Sequence, residues 1–118
     1  MKPVYIALYM EVNGTWVIGR YEESQDAFDA MVNDIKEYIK YNVEDDNYTS
    51  QKFTPGMKLV VKSDECPNFC VHIDKNGMGA QACIDPGTRI ACEWRIERHD
   101  TVVVTHQGVL DIKKEEQK

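Results

Sequence analysis

One stretch of this 118-residue chain carries a helical period, and the segments on either side of it are patterned as strand. Phe28, Met31, Val32, Ile35, Tyr38 and Ile39 recur at steps of three and four, which gives a helix one apolar stripe. Asp29, Asn33, Lys36, Glu37 and Lys40 take the other side. Ser24 suits the cap position and Asp26 the first turn, where free amide groups favour an acid, so a helix is predicted over residues 25–41. Such a stripe has to be buried against another element. The only material for that is sheet.

Before the helix, Val4 to Met10 and Thr15 to Tyr21 flank Asn13-Gly14, the dipeptide that best tolerates a tight hairpin turn. With those two residues as the loop, Met10 faces Val17, Tyr9 faces Ile18 and Ile6 faces Tyr21. Val4, Ile6, Leu8, Met10, Val17 and Tyr21 then form the expected core face. Tyr5, Ala7, Tyr9, Glu11, Trp16, Ile18 and Arg20 form a half-wet one.

After the helix, Glu44 to Thr54 is polar and aperiodic and reads as a loop, with Tyr48 and Phe53 bracketing it. Strands are predicted at Met57 to Lys62, Phe69 to Asp74, Met78 to Ile84, Ile90 to Glu97, Thr101 to Thr105 and Val109 to Ile112. Turns are predicted at Ser63-Asp64-Glu65, Asn76-Gly77, Asp85-Pro86-Gly87-Thr88, His99-Asp100 and Gln107-Gly108. In the fourth of these strands Ile90, Cys92, Trp94 and Ile96 alternate inward, against Arg89, Glu93, Arg95 and Glu97 outward. The fold class is therefore α+β: an N-terminal hairpin, one main amphipathic helix, then an antiparallel meander of about five short strands, with the helix on one sheet face. Residues 1–112 form a single domain, and 113–118 are a charged, frayed tail.

Charge is concentrated around the helix. Residues 22–46 hold nine acids and two bases, −7, while the remaining eleven acids and twelve bases come to +1. With a pI near 5.0, nonspecific binding to nucleic acid or an anionic membrane is not expected, because both need a basic patch. The longest apolar run is too short to span a bilayer and lacks the marks of a secretory signal, so the chain reads as cytoplasmic with reduced thiols.

A two-residue turn at Asn76-Gly77 sets Cys70 across from Cys83 and His72 across from Gln81. Cys92 joins them if the next turn keeps register, and Cys66 shares the parity of Cys70. Cys66, Cys70, His72, Cys83 and Cys92 would then line one sheet face as thiolate and imidazole ligands suited to zinc. Only Cys66-x3-Cys70 has knuckle spacing, however, and mid-strand side chains point in parallel rather than around an ion. The favoured reading is buried thiols packing as small hydrophobes, with no metal and no cofactor. A Cys70–Cys83 disulfide and a metal site are the alternatives.

His72, His99 and His106 belong to no set of nucleophile, base and orienter, and His99-Asp100 reads as turn chemistry. No glycine-rich phosphate loop precedes the helix. The expectation is a non-enzymatic binding protein. Asp26, Asp29, Glu37, Glu44, Asp45 and Asp46 supply a field that steers a basic partner, such as a nuclease or nucleic-acid-binding protein. Tyr5, Tyr9 and Trp16 serve as aromatic anchors. A small-ligand or metal-binding module on the cysteine-lined face is the alternative. In size, charge and layout the chain resembles the small acidic α+β proteins of phages and mobile elements. That resemblance implies an inhibitor of defence nucleases or an immunity protein. It rests on no motif.

Overall fold

The computed structural model describes residues 3–43, 50–61, 69–83, 90–104 and 110–113. The chain runs β1 (Val4–Glu11), β2 (Gly14–Tyr21), α1 (Ser24–Val43), β3 (Lys58–Val61), β4 (Phe69–Ile73), β5 (Gly79–Cys83), β6 (Ile90–His99), β7 (Thr101–Val104) and β8 (Leu110–Lys113). Six strands make one antiparallel sheet in the order β2-β1-β6-β5-β4-β3. This is the expected α+β layout with one difference: six described strands follow the helix rather than about five. The last two, β7 and β8, form a separate two-stranded ladder. Lys113 lies in β8, not in the tail.

The joint between the hairpin and the meander is the β1–β6 pairing, with Val4 opposite His99 and Met10 opposite Glu93. Connecting β2 to β3 takes the chain from one edge of the sheet to the other, with α1 in that connection. A helix of 20 residues is about 30 Å long, and six strands span about 24 Å, so one helix suffices to cover a face.

Ala27, Met31, Val32, Ile35 and Ile39 of α1 are buried, and Phe28 and Tyr38 pack beside them, as the period predicts. They meet Ala7 of β1, Phe69, Val71 and Ile73 of β4, Ala80 and Ala82 of β5, and Cys92, Trp94 and Ile96 of β6. The helix is capped one residue earlier than expected, since the Glu23 carbonyl accepts the Ala27 amide at 3.3 Å. Phe53, expected in a polar loop, is buried in this core, with the Lys36 ammonium 5.3 Å above its ring.

The first hairpin departs from its expected register. Glu11 pairs with Gly14, so the loop is Val12-Asn13, one residue earlier than expected; Gly14 opens β2 at φ 149°, where a side chain would be strained. Leu8 therefore faces Val17. A bulge then leaves Ile18 unpaired, and Ala7 meets Gly19 and Tyr5 meets Tyr21. The predicted core face is inverted except at Tyr21, which the bulge keeps inward as expected: Tyr5, Ala7, Tyr9 and Ile18 join it against the core under the helix. Val4, Leu8, Met10 and Val17 face the other way, joined there by Ile6, which is buried nonetheless at 8% exposure. A run apolar on both faces does not choose its inner face. The small Ala7 side chain, fully buried, lets the helix approach.

The second hairpin keeps its predicted register, with Cys70 opposite Cys83 and His72 opposite Gln81. Its turn is wider than two residues. The Asp74 amide donates to the Gly79 carbonyl at 2.9 Å, the Gly77 amide to the Asp74 carbonyl at 2.9 Å, and the Met78 amide to Asn76 Oδ1 at 2.9 Å. Gly77 takes φ 72°, the left-handed conformation this loop requires. A further bulge between Ala82 and Cys83 sets Ile90 opposite Cys83, so Ile90 is 63% exposed on the outer face rather than inward. The predicted turns at residues 63–65, 85–88 and 107–108 lie outside the described residues.

Candidate functional site

The exposed side of α1 carries the charge. Asp26, Asp29, Asn33, Glu37 and Lys40 recur at three- and four-residue steps opposite the buried stripe, and all five are exposed. From Asp26 to Glu37 this row runs about 16 Å along the helix. Glu22 and Glu23 extend it at the helix start. Among the described residues no base pairs with Asp26, Asp29 or Glu37; Asp29 accepts a hydrogen bond from Gln25 Nε2 at 2.9 Å. Glu44, Asp45, Asp46 and Tyr48 lie outside the described residues.

Asp34 leaves the exposed field. Its Oδ2 accepts the Trp94 indole N–H at 2.7 Å, sixty residues away in sequence. A predicted inward tryptophan needs an acceptor for that donor, and this was the signal that one helix acid would turn inward.

The three expected anchors differ in exposure. Tyr5 and Tyr9 are half-buried on the helix-covered face. Tyr9 lies in a run of rings: 5.8 Å from Trp16, 5.6 Å from Trp94 and 6.2 Å from Tyr38. Its hydroxyl donates to Glu11 Oε2 at 2.7 Å, and its ionisation is pushed far above the ordinary phenol range, first by burial and then by that carboxylate. Trp16, on edge strand β2, is 48% exposed and is the anchor that remains available. The sequence reading missed Tyr41, the highly exposed aromatic in the last turns of α1.

The five thiol and imidazole positions do not gather on one face. Cys70 and Cys83 face each other, both half-buried, with exposed His72 in the next row, opposite Lys58 and Gln81. Cys92 pairs with Ala82 and lies on the opposite, helix-covered face, because β5 and β6 meet one residue out of the assumed register. Burial raises the Cys92 thiol, while the nearby Tyr38 and Tyr9 hydroxyls pull it back. Cys83 is raised by burial and by the adjoining Cys70 thiol, and Lys58 lowers it. Cys66 lies outside the described residues. Among those described, no group of three His, Cys, Asp or Glu side chains is placed to hold a metal ion.

His99 is not a turn residue. It ends β6 buried, with Nε2 3.3 Å from Glu97 Oε1 and Nδ1 without a hydrogen-bond partner among the described residues, while Asp100 pairs with Arg98 at 3.2 Å. His106 is outside the described residues.

A cavity of about 340 Å³ opens between the helix start and the β4–β5 turn, and among the described residues Lys52 is the one ionisable group lining it. A second, of about 330 Å³, is lined by Glu11 and Glu93 at the end of β1 and β6. Those two carboxylates alternate to opposite faces of the sheet, and Glu11 is engaged by Tyr9. Among the described residues, neither cavity presents an acid–base pair. No described helix is long and apolar enough to cross a membrane. Comparison of the chain with family models, with curated proteins and with solved structures found no match.

Proposed function

We propose that this chain is a non-enzymatic binding protein that engages a basic partner through the exposed acidic row of α1. The observation that carries the reading is the placement of Asp26, Asp29 and Glu37. They are exposed along one side of a rigid helix and form no ion pair with a basic side chain among the described residues. Fixed carboxylates of one sign raise the approach rate of an oppositely charged surface and disfavour like-charged ones. Trp16 supplies an aromatic ring of the kind that holds a complex once formed. In its finer form the reading is a cytoplasmic inhibitor or immunity-type factor, phage- or mobile-element-encoded, whose carboxylates imitate phosphates in the cleft of a nuclease or nucleic-acid-binding protein. Glu44, Asp45 and Asp46 add three more acids to this reading.

The test is a pull-down from a lysate of the source organism. The wild-type chain is compared with Asp26→Lys/Asp29→Lys/Glu37→Lys, and with a control in which Glu93 on β6 is reversed. The expected result is a basic protein retained by wild type and by the control, released by rising salt, and lost from the helix variant. The same proteins on all three baits would return the acids to the role of a solvated surface.

A further inference from the structure

We propose that Cys70 and Cys83 are a reversible dithiol–disulfide site, which exchanges with low-molecular-weight disulfides on the sheet face turned away from α1. Both are free thiols, and the register sets them directly opposite each other on adjacent strands. The ladder fixes their spacing. Asp74 donates to Gly79 across the same two strands, so alternate pairs from there, His72–Gln81 and Cys70–Cys83, are hydrogen-bonded pairs. Such pairs hold their Cα atoms about 5.5 Å apart, inside the roughly 4.4–6.8 Å range that a disulfide spans. Closure needs no large backbone movement.

Reagent access and local shape agree with this. Unlike Cys92, both sulfurs belong to half-buried side chains, and their row across the sheet ends in exposed Val60 on one side and exposed Ile90 on the other. The register shift beside Cys83 leaves Ala91 of β6 unpaired, a bulge that bends β6 alongside the pair. Burial and the adjoining Cys70 thiol hold the Cys83 thiol above its ordinary range, and Lys58, beside the pair, offsets part of that rise.

The chemistry balances as two successive exchanges. One cysteine, as its thiolate, attacks a sulfur of the small disulfide RSSR, forming a mixed disulfide and releasing RS⁻, which takes up the proton. The second cysteine loses its proton and attacks the protein sulfur of the mixed disulfide, releasing the second RSH. Two cysteine thiols are oxidised, one RSSR is reduced to two RSH, and no other reactant enters. The opposed geometry makes the second step intramolecular, so the mixed disulfide does not accumulate.

The experiment equilibrates the folded chain in mixtures of reduced and oxidised glutathione, quenches with acid, and reads intact mass and a peptide map. Wild type is expected to lose two hydrogens as the mixture becomes oxidising, with a single cross-link joining the peptides of Cys70 and Cys83, and to revert in dithiothreitol. Cys83→Ser loses that cross-link entirely and stops as a glutathione adduct on Cys70, whereas Cys92→Ser forms the cross-link as wild type does. The wild-type map alone decides, whatever the stability of the variants. Two free thiols at the most oxidising ratio, a persistent glutathione adduct on wild type, or a cross-link through Cys66 would each overturn the proposal.

Discussion

Cys92 and the Cys70–Cys83 pair belong to one sheet but to its two faces, and they occupy different chemical settings. On the face under α1, Cys92 is 3% exposed, set among the aromatic rings of Tyr9, Tyr38 and Trp94. On the other face, Cys70 and Cys83 stand half-buried beside Lys58, in a row that ends in exposed Val60 and Ile90. A strand alternates with period two, so one residue of register separates an inert packing group from a reachable thiol. Here the β5–β6 register, which sets Ala82 opposite Cys92, makes that separation.

The largest test of this contrast is deletion of apolar volume on each face. Met31→Ala, Ile35→Ala and Trp94→Ala remove fully buried side chains and should each cost about 2 to 5 kcal/mol in urea unfolding. Val17→Ala and Ile90→Ala, on the outer face and more than half exposed, should stay within about 0.5 kcal/mol. Equal losses on the two faces would break the distinction.

A smaller effect tests the polar tie between helix and sheet. Removing the acceptor in Asp34→Ala leaves the Trp94 indole N–H unsatisfied, at a cost of about 1 to 3 kcal/mol, whereas Asp29→Ala on the exposed row should be near neutral. Most of the Asp34 effect should vanish in a Trp94→Phe background, where no donor is left to strand. A double-mutant cycle showing simple additivity would remove the hydrogen bond from the account.

Those same residues show how far the sequence could be read. The helix and its buried stripe were legible because Phe28 to Ile39 alternate apolar and polar at one period only. The Cys70–Cys83 register was legible because the strands flanking Asn76-Gly77 are short, and the wider loop preserved the same pairing. The first hairpin was not, since Val4 to Met10 is apolar at every position and period two names two faces without ranking them. What ranks them is Ala7 against the helix, together with the Ile18 bulge, and neither has a local signal. Phe53 shows the same limit: one apolar residue in a polar stretch is core only once α1 and β4 are in place to receive it. Of the candidate site, the exposed acids of α1 follow from the helical period. The inward turn of Asp34 and the transfer of Cys92 to the covered face depend on tertiary register.

The smallest effect is expected in the dependence of stability on pH, and it separates groups on the covered face. Burial raises the Cys92 thiol above its unfolded value, so above about pH 8.5 the unfolded chain gives up that proton more readily than the folded one. The unfolded state then binds fewer protons, and the sign of linkage makes stability fall as pH rises through that window. Below it the contribution is fully present. Tyr9 behaves alike but later, since its unfolded value is about 10 and its folded value is raised by burial and by Glu11. Chemical denaturation from pH 7 to 11 should therefore show an alkaline decline in two stages. Cys92→Ala, though less stable throughout, should flatten part of the first stage and leave the second. Tyr9→Phe should keep the first and lose the second. Cys83, raised as well, should retain its share of the first stage in the Cys92 variant and lose it in Cys83→Ala. An alkaline slope untouched by all three substitutions would mean that these groups titrate alike in the folded and unfolded chain, and would remove the electrostatic part of the contrast between the faces.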